Sequence, residues 1–173
     1  MSKKMQTKKL TVCAMLSALG VVFLWLGSAI EVVDISMAVI ASLFCVFAVI
    51  EYGGAAPWLV FAVTGLLSLI LLPQKTPAVM YLLFFGYYPI LKEKLEKKRP
   101  MKAWIAKEIV FNGALFVMLM LSRFFLLGAE TEPLGIFVVF VVLAEITFPV
   151  YDLALTRLIS FYVFRLRSRF RIK

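Results

Sequence analysis

Residues 10–30 read LTVCAMLSALGVVFLWLGSAI, a run of 21 residues without a charged side chain. The hydrocarbon core of a bilayer is about 30 Å thick, and an α-helix needs roughly 20 residues to cross it. The run therefore predicts a transmembrane helix. Lysines precede it, as in a secretory signal peptide, but it is too long for the apolar region of such a peptide and lacks a small-residue cleavage site. We expect it to be retained as the first helix.

Five further apolar runs follow the first. They cover residues 35–50, 55–72, 77–91, 109–127 and 134–154. Of the 173 residues, 63% are apolar and only 17% are charged, with a mean hydropathy of +0.98. An ordinary water-soluble domain is about half apolar and a quarter charged, so that class is excluded. The sequence predicts an all-α polytopic membrane protein, a six-transmembrane-helix bundle that forms one domain over residues 1–173.

Lysine and arginine are distributed unevenly between the connecting segments. With a cytoplasmic N-terminus, the inner segments 1–9, 51–54 and 92–108 and the C-terminal tail carry four, none, seven and five basic residues, whereas the outer loops carry only Lys75. Basic residues are retained on the cytoplasmic side. The pattern predicts a plasma-membrane protein with both termini in the cytoplasm. The tail over residues 157–173 mixes arginines with apolar residues, which favours a position along the anionic leaflet.

Several residue types that would support other functions are missing. Histidine is absent, and Cys13 and Cys45 both lie in apolar runs, so we predict neither a disulfide framework nor a metal site. No glycine is followed by Lys-Ser or Lys-Thr, so no loop that would bind ATP is expected. The net charge of +9 fits orientation in a lipid bilayer, and we expect no nucleic-acid partner. No cofactor and no catalytic residue is predicted, because the possible acids and bases do not converge at one depth.

Charged side chains within the apolar runs are functional candidates, because each costs roughly 2.5–3.5 kcal/mol in the hydrocarbon layer. Glu145 lies near the middle of the last run and shares a helix face with Pro149, Asp152 and Thr156. We predict a ligand or ion contact at Glu145, with packing of a neutral carboxyl as the alternative. Arg123, near the outer end of the fifth run, suits a carboxylate or phosphate from outside, or a local salt bridge.

Charged residues in the outer loops extend the substrate-binding set. Asp34 lies in the first outer loop with Glu31, and Lys75 lies in the second. Together they predict a polar ring at the outer face. Simple solvation of these loop charges is the alternative.

Small residues on the first helix predict a docking surface. Ala14 and Ala18 are four residues apart, and Cys13, Ser17 and Gly20 form an adjoining strip. Small side chains at this spacing allow a second helix to approach closely. That second helix belongs either to a partner protein or to the protein's own bundle.

Three segments resemble the substrate-binding S components of energy-coupling-factor (ECF) transporters. They are KKLTVCAMLSALGVV at residues 8–22, EVVDIS at 31–36 and YGGAAP at 52–57. The resemblance implies capture of a scarce nutrient near the outer face and docking through helix one on a transmembrane coupling subunit that two ATPase subunits drive. The lack of histidine argues against nickel or cobalt as cargo. A small organic, vitamin-like substrate is expected, with Tyr81 as a stacking surface.

Two other functions compete with this interpretation. A non-catalytic scaffold or assembly subunit of a cell-shape or envelope complex would have the same size and helix content but no cargo. An enzyme acting on lipid would need converging catalytic groups, and we therefore expect no enzyme. The segment FFGYYPILKEKLEK, residues 84–97, has no function assigned from its sequence.

Overall fold

The structure, a computed structural model, describes residues 3–97, 99–125 and 134–166. These residues form helices and short links, and no strand occurs among them, which confirms the predicted all-α class. The helices are α1 (Lys3–Ala29), α2 (Asp34–Glu51), α3 (Ala56–Leu71), α4 (Thr76–Met80), α5 (Tyr88–Leu95), α6 (Pro100–Phe125) and α7 (Leu134–Phe161). A 3₁₀ turn covers Glu31–Val33, and π turns cover Tyr81–Phe85 and Tyr162–Leu166.

Four helical segments are long and apolar enough to cross a membrane. They are Gln6–Ala29, Asp34–Glu51, Pro100–Leu121 and Val138–Arg165. The helix Ala56–Leu71 is also apolar but has only 16 residues. This set of helices fits a membrane protein, because a helix forms its backbone hydrogen bonds internally and can cross hydrocarbon where no water is available to accept or donate them.

The chain divides into two compact units, Met1–Leu119 and Met120–Lys173. In the first unit, α1 packs against α2 and α3, and α2 also contacts α3, α4 and α5. The main core cluster contains Leu24, Ala38, Ala41, Leu72, Ala78 and Tyr81. A second cluster contains Cys13, Leu16, Ala48, Ala56 and Val60. Alanine makes up half of the main cluster, and alanine and cysteine make up three of the five residues of the second. Small residues at these positions let the helix backbones approach closely.

Helices α1 and α3 approach each other closely at Gly20. A Cβ atom there would lie 2.8 Å from Thr64 Cγ2, which is closer than two non-bonded carbon atoms normally come. Thr64 Oγ1 donates to the Ser17 carbonyl at 3.5 Å, and Ser17 Oγ donates to the Cys13 carbonyl at 2.9 Å. Backbone carbonyls thus satisfy the buried hydroxyl groups at this crossing.

The link between α2 and α3 is a tight turn. Gly53 and Gly54 adopt φ values of 56° and 58°, in the left-handed region that glycine tolerates best. The Gly53 N–H donates to the Ala48 carbonyl at 3.1 Å and caps the end of α2. Pro57 lies in the first turn of α3, where its missing N–H costs nothing.

The fourth predicted run, residues 77–91, falls on a helical stretch that an irregular turn interrupts. The Gly86 N–H donates to the Tyr81 carbonyl, five residues back, at 2.7 Å. A π turn therefore separates α4 from α5. Gly86 is needed here, because a Cβ atom would lie 2.6 Å from Phe61 Cδ2 and 2.7 Å from Tyr81 Cε1.

Helical structure extends into the segment predicted as the inner loop 92–108. Helix α5 continues to Leu95, beyond the end of the predicted run, and α6 begins at Pro100 rather than at residue 109. In the second unit, α7 runs from Leu134 to Phe161 and contains Pro149. The predicted interfacial tail begins within this helical structure, which continues to Leu166, and residues 167–173 lie outside the described residues.

Candidate functional site

The predicted docking strip on α1 is divided between two faces. Ala14 and Ala18 are exposed and lie one above the other, since positions four apart share a helix face. Ser17, with only 1% of its surface exposed, turns inward with Cys13 and Gly20 toward the core of the first unit. Ser17 is therefore a packing residue at the α1–α3 crossing, and the two alanines alone remain available to a partner.

Large apolar side chains flank the two alanines along the exposed face of α1. Leu10, Met15, Leu19, Val22 and Trp25 are all exposed. Because Ala14 and Ala18 are much smaller than these neighbours, they form a shallow depression in an apolar ridge. Such a surface suits either lipid chains or a second transmembrane helix.

A shallow cavity of about 280 Å³ lies between the first turns of α1 and α3. Its lining residues are Gln6, Lys9, Leu10, Cys13, Ala55, Ala56 and Leu59. Lys9 Nζ also lies 5.8 Å from the centre of the Tyr52 ring. None of the predicted substrate-binding residues lines this cavity.

Two of the predicted substrate-binding residues lie at the other end of α1. The Gln74 N–H donates to Ser28 Oγ at 2.9 Å, which fixes the loop that carries Lys75. A Cβ atom on Gly27 would lie 3.6 Å from Asp34 Cα, so the start of α2 packs on the same end of α1. The Lys75 ammonium donates to the Leu72 carbonyl. The first unit thus brings Asp34 and Lys75 to the same end of α1.

Tyr81 has no exposed surface and belongs to the main core cluster. Its ring centre lies 6.0 Å from that of Phe61, with the planes tilted by 32°. In this arrangement the ring of Tyr81 packs against the protein's own helices.

The remaining two predicted substrate-binding residues belong to the second unit. Glu145 is half-buried on α7. Further along the same helix Asp152 is buried, and Thr156 Oγ1 donates to its carbonyl oxygen at 2.8 Å. Arg123 lies on α6, but its side chain is outside the described residues.

The structure also contains a charged cluster that sequence reasoning missed. Lys92 Nζ lies 2.8 Å from Glu96 Oε1, and Lys107 Nζ lies 2.9 Å from the same oxygen. The lysine side chains are only 1% and 6% exposed, whereas that of Glu96 is 43% exposed. A buried ammonium group is costly unless an opposite charge compensates it. The shared carboxylate therefore ties α6, through Lys107, to the end of α5.

One half of this cluster has a sequence signal. In KEKLEK, residues 92–97, lysine and glutamate recur four positions apart, the spacing of ion pairs along a helix. Glu93 and Lys97 form the second such pair at 2.8 Å, on the exposed side. The signal was missed because the many basic residues of this segment were interpreted as the mark of a connecting loop.

We expect Glu96 to make the fold sensitive to acid. Partial burial by itself raises the pKa of Glu96, but the hydrogen bonds and charges of Lys92 and Lys107 outweigh it and hold the pKa below the ordinary 4.5. A carboxyl group whose pKa is lower in the folded state stabilises the fold above its unfolded pKa, and this contribution is lost as the pH falls through the folded value. The midpoint of thermal unfolding in detergent, measured from pH 6 downward, should fall more steeply for the wild type than for Glu96→Gln. Parallel pH profiles would contradict this expectation.

Comparison of the chain with protein-family profiles, with curated proteins and with solved structures found no match. Within the described ranges, no group of three or more His, Cys, Asp and Glu side chains comes together in a way that could hold a metal ion. The functional interpretation therefore depends on the surfaces and clusters of the chain itself.

Proposed function

We propose that the protein is the substrate-capture membrane subunit of an ATP-driven importer of the ECF type. In this proposal it binds a small organic, vitamin-like nutrient near the outer face and docks through α1 on a transmembrane coupling subunit. No glycine in the sequence is followed by Lys-Ser or Lys-Thr, so the proposal assigns ATP hydrolysis to partner subunits.

The exposed pair Ala14 and Ala18 is the observation that carries the proposal. Helices associate in a bilayer through close backbone approach, which small side chains permit. The opposite face of α1 already packs against α2 and α3. The exposed depression is therefore a place where a helix of a partner can lie against α1.

The proposed topology has six spans and cytoplasmic termini. It adds α3 and the helical stretch Thr76–Leu95 to the four membrane-length segments. The concentration of basic residues in the predicted inner segments supports this orientation. The end of the first unit that carries Asp34 and Lys75 then faces outward. These two residues are the proposed substrate contacts of the first unit, and Arg123 and Glu145 are those of the second.

Replacing the two alanines by tryptophan should prevent docking without unfolding the protein. Inserting bulk into a close contact typically costs about 1–3 kcal/mol at each site, so we expect Ala14→Trp with Ala18→Trp to weaken docking more than ten-fold. Both positions are exposed, so the subunit itself should keep its thermal stability. The measurements are co-purification with an ATPase-containing complex and nutrient uptake by cells.

A matched control exists on α3. Leu66 and Ile70 are also four residues apart and exposed, so Leu66→Trp with Ile70→Trp places two tryptophans at the same spacing on another apolar face. Normal docking by the control and loss of docking by the α1 variant would support the proposal. Normal docking and transport by the α1 variant would refute it.

A scaffold subunit of a cell-shape or envelope complex is the second candidate. The observation in its favour is that Tyr81 is buried in the core and the Lys75 ammonium bonds to a backbone carbonyl. A scaffold predicts no thermal shift with any nutrient pool and indifference to Glu145→Gln and Arg123→Ala. A substrate-capture subunit predicts a ligand-dependent rise in stability that these substitutions reduce.

A further inference from the structure

The start of α3, the end of α5 with the residues just after it, and the start of α6 present a surface of unusual composition near the cluster of Lys92, Glu96 and Lys107. We call this surface the basic corner. It consists of the exposed side chains of Trp58, Lys94, Lys97, Arg99, Lys102 and Trp104. All of them belong to the first unit.

The buried cluster fixes the frame of the basic corner. Lys107 lies two turns into α6, and its ion pair with Glu96 holds the first turns of that helix against the end of α5. On the outside of this frame, the Lys94 ammonium lies 5.5 Å from the centre of the Trp58 ring. These two contacts hold the end of α5 to the starts of α3 and α6, and the end of α5 and the start of α6 carry exposed cations beside them.

The exposed charge of the basic corner is strongly positive. Two acids lie on this surface and both are paired: Glu93 with Lys97, and the partly exposed Glu96 with the buried Lys92 and Lys107. Lys94, Arg99 and Lys102 add three further exposed cations. A surface of this sign attracts phosphate groups, which lysine and arginine both bind well.

Apolar side chains lie directly beside these cations at the start of α6. Met101, Trp104 and Ile105 are exposed on either side of the exposed Lys102 in the sequence. Tryptophan prefers the boundary between headgroups and acyl chains, where its ring is in hydrocarbon and its N–H is in contact with polar groups. A soluble anion or an acidic protein would match the charge but would leave these apolar groups in water. A phospholipid matches both.

We propose that the basic corner is a binding site for anionic phospholipid. Lys97, Arg99 and Lys102 contact the headgroup phosphate, and Trp104 and Met101 contact the glycerol and upper acyl chains. Glu96 acts as a positioning residue, because it holds α5 and α6 together beneath the site. This inference does not depend on the nature of the cargo or on docking through α1.

Quenching of single tryptophans by brominated lipid tests the site. The full chain, with Trp25→Phe and Trp58→Phe, is reconstituted into vesicles of one fixed mixture of phosphatidylcholine and phosphatidylglycerol. Bromine is carried either by the phosphatidylglycerol or by the phosphatidylcholine, so only the labelled species differs. Each basic residue near an anionic surface strengthens binding about five-fold. Quenching of Trp104 should therefore be clearly stronger when the phosphatidylglycerol carries the bromine.

Two comparisons make the result specific. Lys97→Gln with Lys102→Gln should abolish the preference, whereas Lys97→Arg with Lys102→Arg keeps the charge and should keep it. A protein that retains only Trp25, near the far end of α1, should show equal quenching by the two labelled lipids. Equal quenching at Trp104, a preference that survives the glutamine substitutions, or the same preference at Trp25 would each overturn the proposal.

Discussion

Glu96→Gln is expected to lower the free energy of unfolding by about 2 kcal/mol at neutral pH. Removing one partner of a fully buried ion pair typically costs about 3–5 kcal/mol, and the 43% exposure of Glu96 reduces that figure through solvent screening. The substitution keeps the shape of the side chain but removes the charge on which two buried ammonium groups converge. Reversible denaturation in detergent measures the effect.

Glu93→Gln is the matched control for this substitution. It is the same change three residues earlier, inside α5 rather than just after its end. It removes the pair with Lys97, in which the lysine side chain is 69% exposed and the glutamate side chain 40%. Exposed pairs contribute about 0.2–1 kcal/mol, so the control should stay close to the wild type. Equal losses for the two variants would show that burial of the lysines does not strengthen the cluster. Combining Glu96→Gln with Lys107→Met should cost less than the sum of the two single changes, because they share one ion pair.

Gly86→Ala is expected to destabilise the first unit by about 2–3 kcal/mol. The added Cβ atom would lie within 2.8 Å of atoms in the rings of Phe61 and Tyr81, and neither ring is a flexible chain end that can move aside. Overpacking of this kind costs about 1–3 kcal/mol, and contact with two rings places Gly86 near the upper limit. Thermal unfolding in detergent gives the measurement.

Gly113→Ala provides a control with the opposite expected sign. Gly113 lies within α6, and a Cβ atom there would meet no atom within 4 Å. Alanine is a better helix former than glycine by about 0.8–1 kcal/mol, so this variant should be slightly more stable than the wild type. A stability gain at both glycines would show that the space around Gly86 is not filled as the structure describes.

Hydrophobic patterning predicted the all-helical class, because a long apolar run in a membrane can pair its backbone N–H and C=O groups within itself only as a helix. It could not locate helix ends within the charged segment 92–108, where ion pairs support the helices together with a few buried apolar residues such as Leu95 and Ala103. Sequence spacing pairs Lys92 with Glu96, but nothing local indicates that Lys107 meets the same carboxylate. That contact depends on how two helices fold back on each other.

The candidate docking strip shows a second limit of sequence reasoning. Ala14, Ser17 and Ala18 are all small, so each permits close approach of a helix. The packing of α1 in the fold, with Gly20 against Thr64 and with Cys13 and Leu16 in a core cluster, determines that Ser17 faces inward and the alanines outward. The π turn at Tyr81–Phe85 also limits sequence reasoning. Its hydrogen bond joins residues five apart instead of four, so the rule that residues three or four apart share a helix face does not hold across it.

The two native cysteines have a practical consequence. Cys13 and Cys45 are 2% and 0% exposed, and Cys45 Sγ lies 3.6 Å from the Pro57 carbonyl oxygen. Thiols shielded in this way react slowly with reagents that enter from water. Maleimide labelling of an introduced cysteine can therefore be measured in the wild-type chain, because its native cysteines should contribute little signal. One cysteine introduced at a time, at the exposed Lys75 or Lys102, would then report which side of the membrane each position faces.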